Sequence, residues 1–260
     1  KPFWSLPVTM LLALLIPGLV ALVIGFFGFR SRVRGVYFAI LTQAITVAAF
    51  NFFSMNNMRF CGTNGLTRFD RIAGSFQLSE PNVKLALYII TVLALAAVYW
   101  GCHGLIKSRL GRVLVAIRDD ENTLRFSGYK PYVYKLFAFV LAGMIAGLAG
   151  MLYVPQMGII TPFDMEAGKS IMIVIWVAVG GRGTLAGAVL GALVVNLLYN
   201  YFTSQHDLGL LTWKADYWPF VLGGLFIGVV LWIKGGLMGL PSQLMRLIKG
   251  SGTGTASKEN

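Results

Sequence analysis

The sequence predicts an all-α, polytopic integral membrane protein. Of its 260 residues, 57% are hydrophobic and only 12% are charged, and the mean hydropathy is +0.72. A single soluble core of this size cannot bury so much apolar surface. Runs without a charged residue recur along the chain, at 2–29, 35–58, 85–106, 136–163, 183–205 and 217–233. We therefore expect a bundle of membrane-spanning helices.

These runs predict about seven crossings, because one span needs about 20 apolar residues. We place the crossings at 6–29, 35–54, 84–106, 135–155, 169–181, 184–203 and 217–234. Pro17 should kink the first helix, since proline leaves one helical carbonyl without its donor. The chain begins at Lys1 rather than Met, so we expect that an N-terminal portion is missing.

The domain organisation follows from the spans. A transmembrane domain is expected over residues 1–240, with a polar segment, 107–134, inserted between two spans. The remaining residues, 241–260, read as a disordered cytoplasmic tail.

The positive charges predict the orientation. Basic residues form three clusters. The connection after the first span contains Arg30, Arg32 and Arg34, and the tail after the last span contains Lys234, Arg246 and Lys249. The connection after the third span contains Lys107, Arg109, Arg112, Arg118, Arg125, Lys130 and Lys135. All three clusters are cytoplasmic if the 55–83 loop lies outside. Cys61 and Cys102 then lie toward opposite faces, so no disulfide between them is expected.

The fifth crossing is short. Twelve uncharged residues between Lys169 and Arg182 reach only about 18 Å along a helix. The segment is therefore a full crossing with snorkelling ends, a re-entrant or broken helix at Gly180-Gly181-Arg182-Gly183, or a simple turn. These alternatives stay open at the level of sequence.

The chain lacks the residues that intramembrane catalysis requires. No charged or metal-binding side chain lies at depth inside a confident span, since His103 sits at a span end, which argues against an enzyme and against a metal site. Ala167-Gly168-Lys169-Ser170 resembles the end of a phosphate-binding loop but lacks its first glycine, so no nucleotide or other cofactor is expected in this chain. The net charge of +12 is explained by basic loops and anionic lipid rather than by nucleic acid.

Uncharged polar residues do enter the spans. The candidates for lining a path for a small neutral solute are Gln43, Thr46, Asn51, Trp176 and Asn196. Such side chains can hydrogen-bond a solute without the cost of a buried ion. The alternative role is hydrogen bonding between helices.

Glycines at intervals of four predict close helix packing. Gly143 and Gly147 form one stripe, and Gly183, Gly187 and Gly191 form another. Bare stripes let helix backbones approach closely.

The stretch Gly111–Gly128, GRVLVAIRDDENTLRFSG, is amphipathic and soluble in character. Val113, Ile117 and Leu124 share one face at helical spacing, whereas Arg112, Arg118 and Asp119 lie opposite. Three consecutive acidic residues, 119–121, lie within this basic connection, and the rule that cytoplasmic loops are rich in Lys and Arg does not explain them. From periodicity alone this is a solvated surface helix.

Four ordered motifs make the chain similar to a known family. They are GRVLVAIRDDENTLRFSG followed by KLFAFV (135–140); GVYFAILT (35–42); GTNGL (62–66); and GGRGTL (180–185) before a glycine-rich helix. With these motifs the chain resembles the permease subunits of branched-chain amino acid and amide ABC transporters. The resemblance covers roughly residues 30–240, and the first 29 residues match nothing beyond a generic span.

Within that family the chain looks most similar to urea permease subunits. WVAVGGRGTLAG (176–187), RDDEN (118–122) and YVPQMGIITP (153–162) carry the finer resemblance. One departure is Cys61, where the family usually has a small residue before GTNG.

The resemblance implies a coupling segment, 107–134, that inserts into a groove on a separate ATPase subunit. The residues implied in that contact are Arg112, Val113, Ile117, Arg118, Asp119, Asp120, Glu121, Leu124 and Gly128. It further implies a second related permease, a periplasmic substrate-binding protein, and ATP and Mg²⁺ held by the ATPase, all at a bacterial inner membrane.

The expected function is import of urea or short-chain amides, driven by ATP hydrolysed on a partner subunit. A branched-chain amino acid permease is the near alternative. Two alternatives belong to other functional classes, namely a passive urea channel and an integral membrane enzyme. ATP dependence separates the importer from the channel, which would not need the coupling segment.

Overall fold

The computed structural model describes residues 6–31, 35–55, 62–67, 71–72, 76–77, 80–181, 183–203, 220, 222–224, 226–228 and 238. The chain divides into two compact units, 1–167 and 168–260. Cys61, Arg182 and the tail 241–260 lie outside the described residues.

The described residues of the first unit include six α-helices. They are α1 (Leu6–Arg30), α2 (Val36–Ser54), α3 (Pro81–Lys107), α4 (Arg109–Asp119), α5 (Glu121–Phe126) and α6 (Pro131–Met157). Both α3 and α6 begin with proline, whose missing N–H costs nothing in the first turn. Helix α1 continues through Pro17 without interruption.

Four of these helices, α1, α2, α3 and α6, are long and apolar enough to cross a membrane. They confirm four of the predicted spans. Most large apolar side chains on them are exposed, such as Leu19 on α1 and Leu93 on α3. A multi-pass membrane protein buries such side chains in lipid rather than in its own core. Helices α3 and α6 begin earlier than predicted, because Lys84 and Lys135 are tolerated in the turns near their ends.

Short strands at the far end of the first unit were not predicted. Strand β1 (Leu66–Thr67) pairs antiparallel with β4 (Ile159–Ile160), and β2 (Arg71–Ile72) pairs with β3 (Phe76–Gln77). Gly65, with a φ of 67°, approaches the carbonyl of Ile160 so closely that a Cβ there would overlap it. The β1–β4 ladder therefore joins the α2–α3 connection to the end of α6.

Helices α1 and α6 pack along much of their length. Small residues on both sides allow this: a Cβ at Gly143 would lie 2.7 Å from the Cβ of Ala21, and one at Gly147 would overlap the carbonyl oxygen of Ala13. Close approach of this kind increases the dispersion contacts between the helices. Such contacts matter in lipid, where the hydrophobic effect does not drive helices together.

The second unit contains α7 (Ala167–Gly180) and α8 (Leu185–Thr203). The two helices meet at a 114° bend, and together they are long and apolar enough to form a broken span or a re-entrant loop. Buried Val179, Val195 and Leu222 form the core of this unit. The described part of the chain thus shows four candidate spans, or five with the bent pair, and seven crossings are not shown.

Residues of the predicted last crossing, 217–234, are only partly described. Positions 220, 222–224 and 226–228 are helical, and the rest of that prediction lies outside the described residues.

Candidate functional site

The predicted coupling segment, 107–134, begins with a sharp turn at Ser108, which ends α3 and caps α4. Its hydroxyl accepts a hydrogen bond from the N–H of Gly111 at 3.4 Å. A Cβ at Gly111 would overlap the carbonyl of Ile106, so the turn brings the two backbones into direct contact. Only glycine fits this position without moving one of the helices.

The predicted single helix over 111–128 is wrong, because Asp120 interrupts it. Asp120 is extended, with φ −153° and ψ 105°, and it caps α5. Its carboxylate accepts hydrogen bonds from the N–H of Asn122 at 2.9 Å and the hydroxyl of Thr123 at 2.5 Å. The Thr123 hydroxyl, together with the backbone donors of Asn122 and Thr123, lowers the pKa of Asp120. Side-chain capping has outcompeted helix continuation here.

Gly128 follows α5 with a φ of 82°. The N–H of Gly128 donates to the carbonyl of Arg125 at 3.0 Å, and that of Tyr129 donates to the carbonyl of Leu124 at 3.3 Å. This pair of bonds is the Schellman arrangement that closes a helix on a glycine. It turns the chain into α6.

The apolar face of the segment points toward its own chain. Ile117 is only 7% exposed, and Val113 and Leu124 are half-buried. Neighbours within the chain thus already cover Ile117, and the contact of these three residues with a partner's groove stays a prediction. Within this chain they anchor the segment.

The exposed side of the segment carries a different set. Arg112, Arg118 and Asp119 are exposed, and Arg118 donates to the Asp119 carboxylate at 3.2 Å. Phe126 is 93% exposed and Val115 is exposed as well. The sequence periodicity did not predict the exposure of these two apolar residues. It places them on a helix but does not show which face of that helix remains exposed to solvent.

Glu121 differs from the other two acids. Its carboxylate accepts from Arg125 at 2.6 Å, within α5, and from Lys135 at 2.6 Å, on α6. Its side chain is 17% exposed. Glu121 therefore bonds within this chain, and its implied contact with an ATPase stays a prediction.

Three candidate path residues lie on α2. The hydroxyl of Thr46 donates to the carbonyl of Thr42 at 2.9 Å, one turn back on the same helix. Asn51 is exposed. The Oε1 atom of Gln43 is buried and has no hydrogen-bond partner within the described residues. A buried amide oxygen without a hydrogen bond lowers the stability of the folded protein. Gln43 is therefore a path candidate whose oxygen could accept a hydrogen bond from a solute.

Trp176 and Asn196 lie in the second unit. Trp176 packs against the Val179–Val195–Leu222 core. The amide of Asn196 donates to the carbonyl of Ala192 at 2.7 Å, on its own helix. Both residues thus have local structural partners.

The glycine stripe of α8 meets α7 backbone to backbone. A Cβ at Gly191 would overlap the carbonyl oxygen of Trp176, and one at Gly187 would lie 2.9 Å from the carbonyl oxygen of Gly180. Gly183 does not belong to this stripe: it precedes α8, has a φ of 96° and has nothing within 4 Å of an added Cβ. Its role is the turn between the helices.

Sequence patterns also missed the glycines of α1. A Cβ at Gly25 would lie 2.9 Å from atoms of Leu136 and Phe139, and one at Gly18 would lie 2.9 Å from Met144. The spacing of seven between them was an available signal for the face that α6 covers.

Among the residues that the structure describes, no group of three or more His, Cys, Asp or Glu side chains is placed to hold a metal ion.

Comparison with known proteins gives a consistent picture. Residues 1–230 match the family described as branched-chain amino acid transport system, permease component. The match includes the first helix, for which the sequence motifs gave no resemblance. No solved structure matches the chain.

Curated relatives are permease proteins. The high-affinity branched-chain amino acid transport system permease protein LivM of Escherichia coli K12 is 26% identical over 263 residues, covering 92% of this chain and 60% of LivM. The autoinducer 2 import system permease protein LsrC of Salmonella paratyphi B is 31% identical over 236 residues, covering 88% of this chain and 63% of LsrC. The ribose import permease protein RbsC of Escherichia coli K12 is 28% identical over 142 residues, covering 52% of this chain and 43% of RbsC. The chain spans about three fifths of the length of the LivM relatives.

Proposed function

Because the chain belongs to the family of branched-chain amino acid transport system permease components, we propose that it is the membrane-spanning permease subunit of an ATP-driven importer. In this proposal a separate ATPase subunit holds ATP and Mg²⁺, a second related permease completes the membrane pore, and a periplasmic binding protein delivers the solute. The location is a bacterial inner membrane.

The observation that carries the proposal is the fold of the coupling segment. Its apolar residues Val113, Ile117 and Leu124 are buried or half-buried, while Phe126 stands 93% exposed and Arg112, Arg118 and Asp119 of the same segment are exposed as well. Burial of an exposed aromatic side chain is a common basis for binding another protein. The basic clusters predict that this end of the spans is cytoplasmic, where an ATPase would be.

Co-purification of the ATPase with this chain tests the assignment. Phe126→Ser should weaken binding of the ATPase at least tenfold, because a central apolar anchor typically accounts for about 2 kcal/mol or more. Asp119→Lys should weaken it less, since exposed rim charges contribute little. Glu80→Lys, the same charge change on an exposed residue at the other end of α3, is the control. Full ATPase recovery with both Phe126→Ser and Asp119→Lys would contradict the assignment.

For the substrate we propose urea or a short-chain amide. The charge-free runs of the sequence offer a solute only uncharged partners, such as the unpaired Gln43 Oε1, which an N–H of urea could satisfy. A zwitterion would lose the hydration of two charges on entering such a path.

The second candidate is a branched-chain amino acid, and it is favoured by the names of the LivM relatives. Uptake of labelled urea and labelled leucine by vesicles containing the assembled transporter separates the two. Uptake of urea without ATP would instead indicate a passive channel.

A further inference from the structure

Within the described residues, Glu121 makes an ion pair that joins the coupling segment to a membrane-spanning helix. Its two carboxylate oxygens are used separately: Oε1 accepts from Arg125 on α5, and Oε2 accepts from Lys135 in the second turn of α6. Both distances are 2.6 Å, and both cations are 31% exposed. The carboxylate thus holds one bond within its own short helix and one bond to another helix.

Helix α5 is short and partly exposed. It has six residues, too few for a stable isolated helix, and its Phe126 and Asn122 are exposed. The turn that follows contains Gly128, with an open environment and a positive φ. A partly buried ion pair at the start of α5 is therefore well placed to determine its position relative to α6.

Helix α6 extends from this pair to the other end of the first unit. Its 27 residues span about 40 Å at 1.5 Å per residue. Along the way it packs against α1, and the Gln156 amide donates to the hydroxyl of Thr91 on α3 at 2.7 Å. It ends at Gly158, next to the β1–β4 ladder.

We propose that Glu121 is a positioning residue that ties the coupling segment to α6 through Lys135, so that a displacement of the segment by the ATPase moves α6. The inference rests on the proposed function for the identity of the partner. Arg125 stabilises α5 locally and takes no part in the transmission.

The structure supplies a matched pair of variants. Lys135→Gln removes the bond between helices, and Arg125→Gln removes a bond of the same length to the same carboxylate within α5. In the assembled transporter, Lys135→Gln should lower solute transported per ATP hydrolysed by about fivefold or more, a typical coupling effect, while ATPase co-purification persists. Arg125→Gln should change this ratio less than about twofold. The exchange Glu121→Lys with Lys135→Glu should restore part of the ratio lost in Lys135→Gln.

A second measurement tests the tie without any partner. In the chain carrying Cys61→Ser and Cys102→Ser, spin labels at Asn122→Cys on α5 and Ala142→Cys on α6 report the distance between the two helices. The distance distribution should broaden with Lys135→Gln and stay narrow with Arg125→Gln. Equal distributions in the two variants, or an unchanged transport ratio in Lys135→Gln, would overturn the tie. A wild-type transporter without ATP-driven uptake would overturn the proposed function, and the label distances would still decide whether the tie exists.

Discussion

The carbonyl oxygen of Ala13 occupies the space where a Cβ of Gly147 would lie. Pro17 has no N–H, so this carbonyl lacks its helical donor, and it faces the one position of α6 where a Cβ would overlap it. A Cα–H of glycine is a weak donor that can partly satisfy such an oxygen, with about 0.5–1 kcal/mol. Proline on one helix and glycine on the other therefore belong to a single contact.

This contact predicts that Gly147→Ala destabilises the first unit. The added methyl group meets a backbone oxygen and the Pro17 ring, neither of which can rotate away. Overpacking of this kind costs about 1–3 kcal/mol of unfolding free energy. Gly150→Ala, three residues along α6 with nothing within 4 Å, is the control and should be neutral or slightly stabilising. Thermal unfolding in detergent measures both, and equal melting temperatures would show that α1 and α6 are not in backbone contact.

The α7–α8 contact makes a parallel prediction for the second unit. Gly191→Ile should separate the two helices, because its Cβ alone would overlap the carbonyl of Trp176. Gly168→Ile on α7, where an added Cβ has open space, is the matched substitution. We expect loss of folded protein on a detergent sizing column only for the first. Normal elution of Gly191→Ile would place the stripe against lipid.

Gly128 tests the end of α5. Nothing lies within 4 Å of an added Cβ, so the penalty of a substitution comes from the backbone conformation alone. Gly128→Val should cost about 1–2 kcal/mol, whereas Gly128→Asn should be tolerated, because asparagine adopts positive φ more readily. Recovery of the ATPase with each variant is the measurement. Equal recovery with valine and asparagine would mean that the turn does not position the segment.

Asp120 should make α5 sensitive to acid. Its pKa is lowered in the folded protein, so the stability that it contributes is present above the unfolded value near 4 and is lost as the pH falls through the lower folded value. Asp120→Asn keeps a capping oxygen that does not titrate. Hydrogen exchange of the α5 amides, compared between the two proteins from about pH 5 to about pH 2, should show protection lost only in the wild type. Parallel loss in both would assign the acid sensitivity to another group.

Gln43 should show opposite effects on stability and transport. Replacing an unsatisfied buried amide with an apolar side chain of similar size removes a penalty of about 1–3 kcal/mol, so Gln43→Leu should not destabilise the protein. If Gln43 lines the path, the same change should reduce solute uptake at least tenfold. Asn196→Leu, whose amide bonds to its own helix, should have the smaller effect on uptake. Unchanged uptake in Gln43→Leu would remove it from the path.

The sequence predicted four spans well, because charged residues on either side of each apolar run locate the ends of the span to within a few residues. It could not predict the break at Asp120, since the apolar spacing of Val113, Ile117 and Leu124 runs straight through it. Capping of α5 by the Asp120 side chain outweighs that periodicity. The β1–β4 ladder was equally invisible, because two-residue strands separated by about ninety positions leave no periodic pattern.

The sequence predicted that some helices pack closely, but it did not predict which helices contact each other. The spacing of Gly143 and Gly147 indicated close packing, but nothing in the pattern identified α1 as the neighbour. Similarly, three consecutive acids suggested one role, and the structure gives them three: Asp119 pairs with Arg118, Asp120 caps α5, and Glu121 bonds to Lys135. Such differences arise from tertiary placement.

The shortness of α7 has a consequence for biosynthesis. Its 14 residues reach about 21 Å, roughly 9 Å less than the hydrocarbon thickness of a bilayer. As α7 leaves the ribosome it is too short to be retained in the lipid as an independent span, and its C-terminal carbonyls have no helical donors. We therefore expect the insertion of α7 to depend on α8, whose glycines cover the backbone of Gly180. A chain released after residue 184 should leave α7 outside the bilayer, whereas a chain that includes α8 should insert the two helices together.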